Sequence, residues 1–302
     1  ELAKDSEFYQ LANWSISPKE DLMAYAEDTT GRREYNIKFK NLNTGQTYKN
    51  GLSNSSGDMA WSSDGRYLFY VLRDQETLLP FKLFRHEIGS SQSEDVLVYE
   101  EKDPTFYLSV GNSRSMQFIE INISSTTSSE VRLINSDSPE EPPYIFLKRE
   151  PDHLYSIEHD PEDNRFLIET NWLAENFRLM AIDLKKSADK SEWDELIPHR
   201  KDILLQSALA FPNHLVVMER ENGLRHLKII TKKDNTERSI NFNDPAYSAY
   251  LAANPEYYSD KFYFGYSSLR TPDSLFSSKL STGRKRLLKQ AEVKGPFSKS
   301  DY

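Results

Sequence analysis

Cysteine is absent from the 302-residue sequence. Its absence excludes disulfide-stapled scaffolds, thiolate zinc sites and cysteine nucleophiles. No apolar run approaches the roughly 18–20 residues that a membrane-spanning helix needs, so we expect no membrane partner. Positive charge is in deficit, because 38 Lys and Arg stand against 47 Asp and Glu for a net charge of −9. Phosphate binding needs clustered Lys and Arg, so this balance disfavours a nucleic-acid partner.

Sequence signatures of catalysis are also missing. The stretches 51–55 and 111–115 approach the G-x-S-x-G elbow of hydrolases, but each lacks the final glycine. No P-loop, G-x-G-x-x-G or H-E-x-x-H motif occurs. His159 stands beside the acidic run 160–163, which we interpret as a solvated turn, and Arg165 occupies the place of the glycine in a calcium loop. We therefore expect no catalytic residue, no metal and no cofactor in this chain.

The apolar residues that are present follow the pattern of strands. The chain holds 16 Phe and 17 Tyr, and short runs such as LMAYAED (22–28), YLFYVLRD (67–74) and FYFGYSS (262–268) are rich in aromatic and β-branched residues. No segment repeats apolar residues at i, i+3, i+4 and i+7 over three turns. This pattern predicts an all-β chain.

These strands recur in a repeating unit. WSISPKEDLMAYAED and WSSDGRYLFYVLRD start 47 residues apart, and the same spacing continues along four residue pairs: Trp14-Ser15, Trp61-Ser62, Leu108-Ser109 and Tyr155-Ser156. Two looser units follow, near residues 206 and 247. A period in the forties with four strands per unit is typical of a β-propeller, whose radially arranged blades bury each other's faces.

We predict an all-β propeller of four-stranded antiparallel blades, six of them in this chain, starting near residues 13, 58, 105, 153, 202 and 247. Residues 1–12 are expected to lead in, residues 13–290 to form the propeller, and the polar residues 291–302 to form a linker towards a further domain. Gly45 and Gly283 are predicted to turn hairpins between third and fourth strands, and Gly65 to close an earlier hairpin. Trp14 and Trp61 are assigned to core positions.

Several longer stretches of the sequence resemble one protein family. TLLPFKLFRHEIG (77–89), QSEDVLVYEEKDPTFYLSV (92–110), FNDPAY (242–247) and GYSSLRTPDSLF (265–276) are similar to the propeller of the oligopeptidase B branch of the prolyl oligopeptidases. The resemblance extends over essentially the whole chain. It implies a cytoplasmic parent protein with seven blades, of which the first would precede this chain. It also implies a following α/β-hydrolase domain, which would carry a Ser-Asp-His triad and cleave short peptides after Arg or Lys.

Two functions follow as hypotheses. The first is the non-catalytic gating propeller of a serine oligopeptidase, with the C-terminal α/β-hydrolase domain of the same chain and oligopeptides containing Arg or Lys as partners. The alternative is a free-standing TolB-like propeller scaffold that binds a protein partner. The resemblance further implies that Glu7 and Arg33 match charged residues near the interface with the hydrolase, so we expect interdomain contacts there.

Overall fold

In the computed structural model, residues 3–4 and 6–295 are described. This part of the chain holds 23 β-strands and three single-turn 3₁₀ helices, which confirms the all-β prediction. It divides into two compact units, and the second begins at His153. Among the described residues, no helix is long and apolar enough to cross a membrane.

The first unit contains a seven-stranded and a four-stranded antiparallel sheet. The strands of the larger sheet follow chain order: β1 (Gln10–Ile16), β2 (Leu22–Asp28), β3 (Tyr35–Asn41), β4 (Leu52–Trp61), β5 (Tyr67–Arg73), β6 (Pro80–Glu87) and β7 (Val96–Glu100). A 3₁₀ turn at Gln92–Glu94 precedes β7. The smaller sheet also pairs strands that are neighbours in the chain: β8 (Tyr107–Asn112), β9 (Phe118–Ser124), β10 (Ser129–Asn135) and β11 (Tyr144–Leu147).

Strand β4 divides the seven-stranded sheet into two blades. Its first residues pair with β3, as in the pair Ile37–Leu52, and its last residues pair with β5, as in the pair Trp61–Leu68. Between them the register shifts near Gly57, whose φ of +94° is a left-handed conformation that glycine adopts without strain. The strand is therefore the outer strand of blade 1 and the inner strand of blade 2, and β8–β11 form blade 3.

The second unit contains three four-stranded antiparallel sheets, which we number blades 4 to 6. Blade 4 comprises β12 (Tyr155–Asp160), β13 (Arg165–Thr170), β14 (Arg178–Ile182) and β15 (Asp194–Ile197), with 3₁₀ turns at Leu184–Lys186 and Lys190–Glu192. Blade 5 comprises β16 (Ile203–Phe211), β17 (His214–Glu221), β18 (Leu224–Thr231) and β19 (Glu237–Ile240). Blade 6 comprises β20 (Tyr247–Leu251), β21 (Lys261–Ser268), β22 (Thr271–Lys279) and β23 (Lys285–Gln290).

Neighbouring blades within each unit share apolar cores. Ile37 and Phe39 of blade 1 belong to the same buried cluster as Trp61 of blade 2. Two hydrogen bonds add to the packing of blade 2 on blade 3. The backbone N–H of Trp61 donates to Asn112 Oδ1, and the side-chain amide of Asn112 donates back to the backbone carbonyl of Trp61, both at 2.8 Å. In the second unit, Leu167 and Ala208 share a core between blades 4 and 5. Each blade thus buries a face that it could not bury alone.

The 47-residue spacing locates the blades but misaligns the first three. Ser17, Ser62 and Ser113 each close the first hairpin of their blade, and each buried hydroxyl accepts a hydrogen bond from the backbone N–H five residues later. The structural equivalents of Ser62 are therefore Ser17 in blade 1 and Ser113 in blade 3, which lie two and four residues beyond the serines that the spacing selects. Trp14 is accordingly 56% exposed whereas Trp61 is fully buried, so the assignment of Trp14 to the core is wrong.

The predicted turn residues lie where the hairpins need them. Gly45 connects β3 to β4 and Gly283 connects β22 to β23, with φ of +74° and +69°. Gly65 has φ of +68° in the turn before β5, where Asp64 accepts hydrogen bonds from the Ser62 hydroxyl and the Arg66 N–H. These motifs therefore have a structural role, because their residues close turns between strands.

Candidate functional site

A blade of four antiparallel strands has two distinct ends. Its first strand starts and its fourth strand finishes at the same end, which we call the entry end. The turn between the second and third strands also lies at the entry end, whereas the other two turns lie at the opposite, far end. Because the chain enters and leaves each blade at its entry end, a domain joined in sequence to a blade is tethered there.

Glu7 and Arg33 both lie at the entry end of blade 1. Glu7 precedes β1, and Arg33 lies in the loop between β2 and β3. The segments that carry them are in contact, because the ring of Phe8 packs against Gly31 and the hydroxyl of Tyr9 donates to Glu27 at 2.9 Å. Both side chains are exposed. Neither forms an ion pair within the described part of the chain, so their interdomain role stays a prediction.

A buried carboxylate holds the loop that carries Arg33. Asp28 accepts hydrogen bonds from the backbone N–H groups of Thr30, Gly31 and Arg33 at 2.8, 3.1 and 2.8 Å. Burial opposes the ionisation of Asp28, but the hydrogen bonds from Thr30 and the other backbone groups outweigh it and hold the pKa below its usual range. Arg33 itself adopts φ of +61°, and its carbonyl accepts a hydrogen bond from Arg73 of blade 2 at 2.9 Å. The loop is therefore fixed before any partner binds.

A second carboxylate fixes the entry end of blade 6. Asp244 accepts hydrogen bonds from the Tyr266 hydroxyl at 2.6 Å, the Ser268 hydroxyl at 2.7 Å and Arg270 Nε at 2.5 Å. The hydrogen bonds from Tyr266, Ser268 and Arg270 hold the pKa of Asp244 well below its usual range. This arrangement ties the segment before β20 to the turn between β21 and β22. The two segments belong to the stretches FNDPAY (242–247) and GYSSLRTPDSLF (265–276), and their contact could not be predicted from either stretch alone.

An open pocket of about 430 Å³ adjoins Asp244. Aromatic rings from Phe242, Phe264 and Phe276 form its apolar wall, and Arg270 and Lys285 supply cations. The Lys285 ammonium donates to the Asn241 carbonyl at 2.5 Å, and burial lowers its pKa. The cations are thus already engaged with groups of the blade.

The acidic run at the end of β12 is only in part the solvated turn that the sequence predicted: residues 161–164 form a largely exposed turn, but Asp160 is the last residue of the strand. Asp160 is fully buried and His159 nearly so, and burial lowers the pKa of His159 to about 4. Asp160 accepts hydrogen bonds from Lys232 Nζ at 2.5 Å and from the Tyr257 hydroxyl at 2.6 Å. Its carboxylate therefore joins far-end segments of blades 4, 5 and 6. Among the described residues, no group of three or more His, Asp and Glu side chains is arranged to hold a metal ion.

One buried pair resembles part of a catalytic triad. His86 Nδ1 lies 2.7 Å from Asp95 Oδ1, as in the half of a triad that orients the base. Both side chains are buried, the His86 ring stacks on Phe39, and within residues 3–4 and 6–295 no serine hydroxyl bonds to the ring. The pair lacks a nucleophile and access to substrate, so it serves the core of the blade.

Comparisons with known proteins agree with this architecture. The model of the family described as "Prolyl oligopeptidase, N-terminal beta-propeller domain" matches residues 1–291. Dipeptidyl aminopeptidase BI of Pseudoxanthomonas mexicana is 37% identical over 305 residues, covering 100% of this chain and 41% of that protein. Protease 2 of Moraxella lacunata is 32% identical, covering 100% of this chain and 43% of that protein.

Solved structures agree as well. Oligopeptidase B from Leishmania major superposes with a TM-score of 0.90 at 28% identity, over 99% of this chain and 43% of that one. Oligopeptidase B from Trypanosoma brucei gives a TM-score of 0.89 at 23% identity, which supports the fold alone. The chain thus spans about two fifths of the length of these relatives. It belongs to the family of N-terminal β-propeller domains of prolyl oligopeptidases.

Proposed function

We propose that this chain is the non-catalytic gating propeller of a cytoplasmic serine oligopeptidase that resembles oligopeptidase B and cleaves short peptides after Arg or Lys. Its partner is a C-terminal α/β-hydrolase domain of the same polypeptide. The observation that carries the proposal is a match over essentially the whole chain to the N-terminal propeller of prolyl oligopeptidases. More than half of each named relative lies outside the matched region, which leaves room for a separate catalytic domain.

The blades are suited to act as a filter. Apolar cores and the Asn112 link join neighbouring blades within the first unit, so a folded protein meets a packed surface there. In the proposed enzyme an unfolded peptide passes the propeller and reaches the triad, while a folded protein is excluded. In each unit, a loop held by a carboxylate at an entry end would give the hydrolase a fixed segment to contact.

The purified chain is expected to show no turnover of an amide substrate that contains Arg. Serine hydrolysis needs a nucleophile, its histidine base and an oxyanion hole, which together supply many orders of magnitude in rate. The complete polypeptide is expected to cleave the same bond in a short peptide and to spare it inside a folded protein. Rates measured on both, with a serine-directed inhibitor as control, test the proposal. Inhibitor-sensitive turnover by the chain alone would refute it, and a complete polypeptide without a hydrolase would favour the scaffold alternative.

Glu7→Ala and Arg33→Ala are each expected to lower kcat/KM of the complete polypeptide at least tenfold. Losing one partner of a desolvated interface pair costs about 2–5 kcal/mol, whereas an exposed pair is worth only about 0–1 kcal/mol. Arg33 contacts Asp28 and Arg73 through its backbone, so the propeller should keep its fold. Arg32→Ala, at the exposed neighbouring position, is the matched control. Variants that equal the parent in kcat/KM and in scattering-derived dimensions would contradict the assignment.

A further inference from the structure

Two leucines in the second unit are unusually exposed. Leu173 is 79% and Leu269 is 96% exposed. Both lie at entry ends, Leu173 between β13 and β14 of blade 4 and Leu269 between β21 and β22 of blade 6. Single exposed apolar side chains are common on protein surfaces, so exposure alone decides nothing. What distinguishes these two is how their turns are held.

The loop that contains Leu173 is strained, and hydrogen bonds fix the residues on both sides of the leucine. Leu173 adopts φ of +51°, a left-handed conformation that is costly for a residue with a bulky side chain. Before the leucine, Asn171 Oδ1 accepts a hydrogen bond from the Leu154 backbone N–H at 2.9 Å. After it, the Asn176 side chain donates to the Lys201 carbonyl at 2.6 Å. The loop is therefore bound to blades 4 and 5, and the strain is maintained by its surroundings.

Cations surround the base of the same loop. Trp172 packs edge-on against Trp193, and the Arg178 guanidinium and Lys190 ammonium lie 4.8 and 5.6 Å from the centre of its ring. The exposed Leu173 thus directly follows an aromatic residue whose ring is flanked by positive charge. An apolar centre with an aromatic and cationic rim is the composition of a protein-binding surface.

The turn that presents Leu269 is fixed by Asp244. The residues on either side of the leucine, Ser268 and Arg270, both donate to this carboxylate, and the Thr271 N–H donates to the Ser268 hydroxyl at 3.0 Å. Three ordered neighbours therefore hold an almost fully exposed leucine in one place. Arg270 is itself partly exposed and adds a positive charge beside the apolar tip.

We propose that Leu173 and Leu269 are the anchors by which the second unit docks onto the catalytic domain of its own polypeptide, a step that rests on the proposed function. Blade 6 ends with β23 at its entry end, the end that carries Leu269. The relatives extend well beyond the matched region, which covers 41–43% of their length. A tethered partner at this end has a high effective concentration, so two preorganised anchors are enough to hold it closed. The partner surface is apolar with an acidic rim.

The test uses the complete polypeptide with Leu173→Asp, Leu269→Asp and both together. Leu42→Asp is the matched control, because Leu42 is an exposed leucine in a far-end turn of blade 1. The double variant is expected to be more extended in small-angle scattering and to be cleaved by trypsin between its domains at least tenfold faster, while the control stays at the parent values. Because both side chains are exposed, the unfolding temperature of residues 1–302 should not fall. Leu→Ser variants replace any Asp variant that fails to fold.

Failure of the inference and failure of the proposed function give different results. Variants with parental dimensions and parental cleavage rates, in a polypeptide that does cleave peptides, overturn the docking role and leave the gating function standing. A complete polypeptide without peptidase activity overturns the proposed function and the named partner together.

Discussion

Replacing Asp160 with alanine is expected to lower the free energy of unfolding by about 3–5 kcal/mol, because removing one member of a buried ion pair leaves the Lys232 charge with only the more exposed Asp163 as a partner. The carboxylate is fully buried and accepts hydrogen bonds from Lys232 and Tyr257, which belong to the next two blades. The Lys232 side chain is only 10% exposed, so water cannot replace the lost partner. Urea unfolding of the purified chain at pH 7 measures the loss.

Asp163→Ala is the matched control for this experiment. Asp163 lies in the same hairpin, and its carboxylate is 3.3 Å from Lys232 Nζ, but it is 40% exposed. Exposed ion pairs contribute about 0–1 kcal/mol, so the control should lose less than about 1 kcal/mol. Equal losses from the two substitutions would show that Asp160 does not join the blades as the geometry indicates.

The strands and their turns could be predicted because their causes are local. Alternating aromatic and β-branched residues favour strands, and a glycine with positive φ marks a hairpin wherever it stands. The repeating unit was found for the same reason. The exact alignment of the units could not be predicted, because the 47-residue spacing pairs Ser15 with Ser62 whereas the hydrogen bonds to the backbone make Ser17 the equivalent of Ser62. Blades conserve the way a hairpin closes and vary in the length of their loops, so a constant period drifts by a few residues.

The buried carboxylates were missed because their partners are distant in the chain. Lys232 and Tyr257 lie 72 and 97 residues from Asp160, and a short acidic run after a strand is usually a solvated turn. Asp244 likewise meets hydroxyl and guanidinium groups more than 20 residues away. Glu7 and Arg33 were placed by family resemblance alone, and what the structure adds is that their segments touch at one entry end.

Glu169 is a partly buried carboxyl group on blade 4. It lies on β13, on the face of blade 4 that packs against blade 5, beside a cavity of about 120 Å³. Within the described residues it forms no hydrogen bond or ion pair. Glu158 on β12 is the other carboxylate that lines this cavity, and no lining residue from β14 or β16 is titratable. Burial raises the pKa of Glu169 from 4.5 to about 7.

The contribution of Glu169 to the stability of the chain is therefore expected to fall as pH rises between about 4.5 and 7. In this window the folded state keeps the Glu169 proton that the unfolded state releases. The contribution of Glu169 to the free energy of unfolding therefore falls by about 1.4 kcal/mol for each pH unit, or by about 3 kcal/mol in total. Glu169→Gln removes the titration, so its advantage over the parent should be near its full value at pH 8 and small at pH 4.5. Glu175→Gln, at an exposed position in the same unit, should follow the parent at every pH. Urea unfolding across pH 4.5–8 measures all three proteins, and an advantage of Glu169→Gln that stays constant across this range would show that the carboxyl group ionises in the folded blade as freely as in water.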